Sequence, residues 1–148
     1  MLAANTIRLH VAHTYKAPPC IVYDAWFNPE MAKRFLFSTD AGHIIRVEID
    51  PHVGGHFLIV DRRPTGDAFH YGVFMELQRP RRMVFSFSVE DHDHNPDRVE
   101  IEIEPLGDGS RLMLTHEMCA QWSDFEEKTR QGWAHVVDGL DRELERMH

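Results

Sequence analysis

Between residues 44 and 118 the chain passes through six segments in which apolar and polar residues alternate, and it then switches to one long stretch with helical periodicity. Nothing else in the sequence limits the possible folds as strongly. Alternation at a spacing of two places the apolar side chains of a strand on a single face. Six such strands joined by short turns favour an antiparallel sheet with one wet face, and the other face must be covered. The segments are 44–50 (IIRVEID), 56–62 (HFLIVDR), 68–78 (AFHYGVFMELQ), 83–90 (MVFSFSVE), 98–105 (RVEIEIEP) and 111–118 (RLMLTHEM). In 68–78 the alternation assigns Phe69, Tyr71, Val73, Met75 and Leu77 to the apolar face. In 83–90 it assigns Met83, Phe85, Phe87 and Val89, and in 98–105 Val99, Ile101 and Ile103 oppose Glu100, Glu102 and Glu104.

The C-terminal stretch supplies the cover. Phe125, Thr129, Trp133, Val136, Val137, Leu140, Leu144 and Met147 recur at spacings of three and four, which makes one apolar stripe. Ser123 and Glu126 read as a capping box, and Glu126–Arg130 and Asp138–Arg142 are supportive pairs four residues apart. A helix running to about residue 147 has some 24 residues and is roughly 36 Å long. Gly132 and Gly139 each cost on the order of 1 kcal/mol of helix propensity, so both are expected to mark close approach of another backbone. Upstream, residues 7–15 alternate as a further strand with Ile7, Leu9, Val11 and Tyr15 on one face and His13 among them. Pro18 and Pro19 then open a short helix, and Asn28 caps a second one that starts at Pro29. A curved sheet and one helix leave space between them, the natural place for a ligand.

Composition narrows the function. A chain of 148 residues has room for one domain, here 1–148. Acidic residues outnumber basic ones 24 to 16, and the net charge of −8 argues against binding nucleic acid or anionic membrane. No apolar run exceeds four residues, and the start has no basic region followed by an apolar stretch, so a cytoplasmic location is expected. Cys20 and Cys119 stand alone and read as reduced thiols, with one disulfide between them as the alternative. The 11 histidines are unusual, since protonating all of them would carry the charge from −8 to +3.

Five stretches in order, APPCIVYDAWFNPEMAKRF, DPHVGGHF, YGVFMELQRPRRMVFSF, GSRLMLTH and GWAHVVDGLDREL, resemble the START-like (Bet v 1-like, polyketide cyclase/dehydrase-like) superfamily. More narrowly, the chain resembles the single-domain family homologous to the C-terminal domain of the heat-shock-protein-90 ATPase activator, over about residues 7–147. The resemblance implies an α+β helix-grip fold, a curved antiparallel seven-stranded sheet wrapped on a long C-terminal helix, with two short helices after the first strand. It also implies no cofactor, binding of a small hydrophobic molecule, and a possible homodimer. A chaperone-activator module in the stress response is the alternative, marked down because members with that role carry an additional N-terminal domain. Phe35 stands where the family usually has Trp, a departure expected to reshape the pocket mouth, and His52 stands where Arg precedes the Gly-Gly turn.

Several residues are candidates for chemistry. Phe57, Phe69, Tyr71, Phe85, Phe87, Trp122 and Trp133 are expected to face the helix as an aromatic surface, mostly core, that suits a flat hydrophobic ligand, with Phe35 and Val137 beside it. His13 and His116 lie on the apolar faces of the first and last strands, which the fold would make neighbours. They read as core histidines bonded to backbone or to Tyr15, or alternatively as groups that orient a ligand. A cyclase- or hydrolase-like reaction would use His116 or Tyr71 as acid or base. Asp91, Asp93, Asn95 and Glu102 mimic calcium-loop spacing, but Pro96 stands where that loop needs glycine, so this reads as a solvated hairpin loop with no dedicated metal site, on which transition-metal binding by His92 and His94 would be adventitious. Nucleotide, zinc-protease and nucleophile-elbow motifs are absent from the sequence.

Overall fold

The computed structural model describes residues 5–90 and 95–146. Asp91, His92, Asp93 and His94 of the calcium-like loop, and Met147 of the apolar stripe, lie outside the described residues. The strands are β1 (Thr6–Tyr15), β2 (His43–Ile49), β3 (His56–Arg63), β4 (Gly66–Gln78), β5 (Arg82–Phe87), β6 (Asp97–Leu106) and β7 (Gly109–Cys119). All pair antiparallel in the order β1-β7-β6-β5-β4-β3-β2, so the first and last strands are neighbours. Helices α1 (Pro19–Ala25) and α2 (Pro29–Phe35) follow β1, and α3 (Glu126–Arg146) closes the chain, giving the helix-grip α+β fold. Cys20 and Cys119 are both free thiols.

Local chemistry explains the boundaries. Proline occupies the first turn of both short helices, where its missing N–H costs nothing. The Asn28 side chain accepts from the amides of Glu30 and Met31 at 3.0 and 3.4 Å. The Ser123–Glu126 capping reading is corrected: residues Ala120–Phe125 form a 3₁₀ turn, and regular α-helix begins at Glu126, whose carboxylate faces Arg130 instead. The two glycines also part company. Phe35 lies 3.4 Å from where a Cβ on Gly139 would sit, whereas a Cβ on Gly132 would meet open space.

The core fills the concave face. Leu9, Val11 and Tyr15 of β1, Val99, Ile101 and Ile103 of β6, and Leu112 and Leu114 of β7 pack under Trp133, Val137, Leu140 and Leu144 of α3. Hydrogen bonds hold α3 to the β1–β7 edge, because the Tyr15 hydroxyl donates to the Val137 carbonyl at 2.8 Å and His13 Nε2 meets Asp141 at 2.8 Å. Burial, with Asp141 and Asp138 nearby, pushes the Tyr15 phenol up and keeps it a neutral donor. No helix among the described residues is long and apolar enough to cross a membrane.

On β4 the apolar-face reading is corrected. The pairs Ile59–His70 and Phe57–Gly72 turn His70, Gly72 and Phe74 inward, and they send Phe69, Tyr71, Val73 and Met75 to the outer face. Gly72 enforces this parity, since the Phe57 ring lies 2.0 Å from where its Cβ would be. A register shift between Phe74 and Glu76 then returns Leu77 to the core.

Candidate functional site

Because α3 is fastened over β1 and β7, its N-terminal half stands off β4 and β5, and a groove of about 440 Å³ opens there. Its floor and walls include His70, Phe87 and Trp133, with Phe37 and Thr39 from the segment after α2 and Gly132 and Val136 from α3. Deeper in lies a pocket of about 20 Å³, lined by nine apolar residues that include Trp26, Phe57, Phe74 and Phe85. Phe37 lines both spaces.

Phe37 is the partition. Its ring stacks on the His70 imidazole, with centroids 4.3 Å apart and planes 3° from parallel, and it also touches Phe87 and Trp133. Its backbone has φ 63°, a left-handed conformation that costs an L-residue roughly 1–2 kcal/mol. A polar anchor two residues on holds the segment. The Thr39 hydroxyl donates to Asp61 Oδ2 at 2.8 Å, and Arg63 Nε donates to the same atom at 2.7 Å. Asp61 is fully buried, and a Cβ at Gly42 would come within 2.7 Å of its Oδ1, so only glycine fits where the segment turns into β2.

Among the polar residues that line the groove, His70 is the buried one. Its Nδ1 lies 3.1 Å from the Ile59 carbonyl oxygen, which can only accept, so the ring is the Nδ1–H tautomer and Nε2 carries the lone pair. Burial pushes this histidine down to about 4, so it is neutral at pH 7. Nε2 forms no hydrogen bond to any described residue, which leaves it free to accept one from an occupant of the groove.

His116 is arranged differently. Trp133 Nε1–H donates to its Nδ1 at 2.7 Å, which obliges Nε2 to carry the proton and to donate to Asp97 Oδ2 at 2.8 Å. Both nitrogens are engaged, neither with backbone nor with Tyr15, so His116 has nothing left for a substrate. It holds Trp133 in place against Phe87, centroid to centroid 5.7 Å, and through Trp133 it shapes one groove wall.

The other candidates sort by position. Phe87 and Trp133 line the groove, and Phe57 and Phe85 line the inner pocket. Phe35 is corrected from pocket mouth to core: it is buried edge-on to Trp26 beneath Gly139, and Phe37 occupies the mouth. Val137 is likewise core, its carbonyl taken by Tyr15. Phe69 and Tyr71 stack on each other on the outer face, away from the groove. Trp122 is half exposed on the 3₁₀ turn beside Phe125. His13 sits toward the other end of α3 with Asp141. Sequence reasoning missed Trp26, Phe37 and His70, and the inward parity of β4 was the signal for His70.

Comparison with known proteins agrees with this architecture. A protein from Nitrosomonas europaea superposes with a TM-score of 0.83 at 20% identity, covering 96% of each chain. A protein of unknown function from Staphylococcus aureus gives 0.84 at 16% identity, covering 97% of this chain and 96% of its own. An AHSA1-like protein from Aeromonas hydrophila gives 0.81 at 18% identity, covering 95% and 94%. These likenesses establish the fold. No functionally curated protein matches the sequence. The family model described as activator of Hsp90 ATPase homolog 1-like protein matches residues 16–145, so the chain belongs to that family.

Proposed function

We propose that the protein binds a small hydrophobic or aromatic molecule in the groove between the sheet and α3. The observation that carries this reading is the groove itself: about 440 Å³ bounded by the aromatic faces of Phe37, Phe87 and Trp133, with the neutral His70 imidazole as a buried acceptor and Thr39, Arg63, Thr129 and His135 among the polar groups of its lining. Aromatic walls favour flat apolar ligands by area burial and ring stacking, and a few placed polar groups fix orientation.

Gly132 provides a clean test. It lines the groove, its missing Cβ faces open space, and a side chain there removes a helix-interior glycine. Gly132→Phe is therefore expected to keep or raise Tm while filling the groove. Titration of 2-acetylnaphthalene, followed by tryptophan fluorescence, should show affinity falling at least about tenfold in the variant. Unchanged affinity would place binding elsewhere and end this reading.

A second reading is a chaperone-activating interaction surface. It draws on the half-exposed Trp122 and Phe125, side by side with ring centroids 6.1 Å apart. Stimulation of a chaperone ATPase by the purified protein, lost in Trp122→Ala, would promote it over ligand binding.

A further inference from the structure

The inner pocket specifies the ligand further, on the basis of the groove-binding reading above. Three buried side-chain atoms lack a hydrogen-bond partner among the described residues, and one of them, Trp26 Nε1, belongs to a residue that lines the pocket. Trp26 is 4% exposed, and an indole N–H has only a donor to offer. An unmet donor in an apolar interior is costly, and native folds rarely keep one without a use. A resident water is a poor answer. The volume of about 20 Å³ would admit one, but a buried water needs two to four polar partners, and no other side chain lining the pocket has a polar atom.

We propose that the bound molecule is an aromatic carbonyl compound, an aryl ketone, aldehyde or ester, whose oxygen accepts the Trp26 indole N–H. The carbonyl end leads. The aromatic body enters the groove, the Phe37 ring swings off His70, and the groove and the inner pocket become one space. Phe37 is suited to this, because it alone among the lining residues borders both spaces and its backbone is held in a costly conformation. A donor group at the leading end is disfavoured, since the nine side chains around the pocket offer no oxygen or nitrogen acceptor and only the weak thioether of Met83.

The test compares 2-acetylnaphthalene with 2-ethylnaphthalene, which share a shape but differ in the carbonyl. The ratio of their affinities should be about two- to tenfold more in favour of the ketone in the wild type than in Trp26→Phe, the size of one net hydrogen bond. A readout that needs no variant is the ¹H–¹⁵N resonance of the Trp26 indole. The ketone should move its proton downfield, and the hydrocarbon should not. Equal ratios in both proteins, or equal shifts with both probes, would overturn the assignment while leaving groove binding intact. Failure of both probes to bind the wild type would overturn both readings.

Discussion

His70 and His116 lie on the same concave face, both almost wholly buried at 7% and 1% exposure, yet they are equipped for opposite tasks. His116 sits between an indole donor and a carboxylate acceptor, and every polar atom of its ring is engaged. His70 spends one nitrogen on the Ile59 carbonyl and keeps the other free under the stacked ring of Phe37. Burial alone therefore does not separate a structural histidine from a functional one. The count of partners does, and so does what covers the remaining nitrogen.

The largest effect that would sharpen this contrast is on stability. His116→Leu leaves the Trp133 N–H buried without an acceptor and removes the donor to Asp97. The expected cost is about 4 kcal/mol by denaturant titration, with naphthalene-probe binding weakened but not abolished at a temperature where the variant is folded. A variant that keeps its stability and loses the probe would reverse the roles assigned to the two histidines.

Next in size is a pH effect carried by His70. Burial above all, with Arg63 adding to it, lowers this group from 6.5 to about 4 against the hydrogen bond to Ile59 and the charge on Asp61, which oppose the shift. Between those two values the unfolded chain takes up a proton that the folded chain refuses. The contribution is fully present above about pH 6.5 and is lost as pH falls toward about 4, ~3 kcal/mol in all. His70→Phe retains an aromatic partner for Phe37 and removes the titration, so its stability should fall less steeply across that window. The difference between the two curves isolates His70 from the other histidines. Parallel curves would show that His70 is as open to solvent folded as unfolded.

Much of the architecture was legible because it depends on periodicity. The alternation in β1, β6 and β7 and the stripe from Trp133 to Leu144 each match the face that is buried. β4 was not legible, because both of its alternating sets contain aromatics, and only the collision of a Gly72 side chain with Phe57 decides between them. Placing Phe69 and Tyr71 in the cavity followed from that parity error, and so did overlooking His70. Phe37 and Trp26 were hidden for another reason. Positive φ in a phenylalanine, or an indole without a partner, leaves no trace in composition or spacing. Trp133 and Phe87 were found because a groove wall and a core face obey the same rule.

The smallest effect tests the cover over His70. Replacing an exposed helix or loop residue by glycine is usually worse than by alanine, because glycine loses more chain entropy on folding. At Phe37 the order should invert, since φ is 63° and a Cβ is strained there. Phe37→Gly is expected to be about 1 kcal/mol more stable than Phe37→Ala. Both variants remove the ring from His70 and from the boundary between groove and pocket, so both should bind 2-acetylnaphthalene with the same increase in association rate. The pair thus divides two properties of one residue. Stability that differs between them measures the backbone that Thr39 and Asp61 hold in place, and kinetics that change equally measure the ring. If alanine proved the more stable, the segment would not hold its left-handed turn in solution, and the free nitrogen of His70 would lack the stacked cover that distinguishes it from His116.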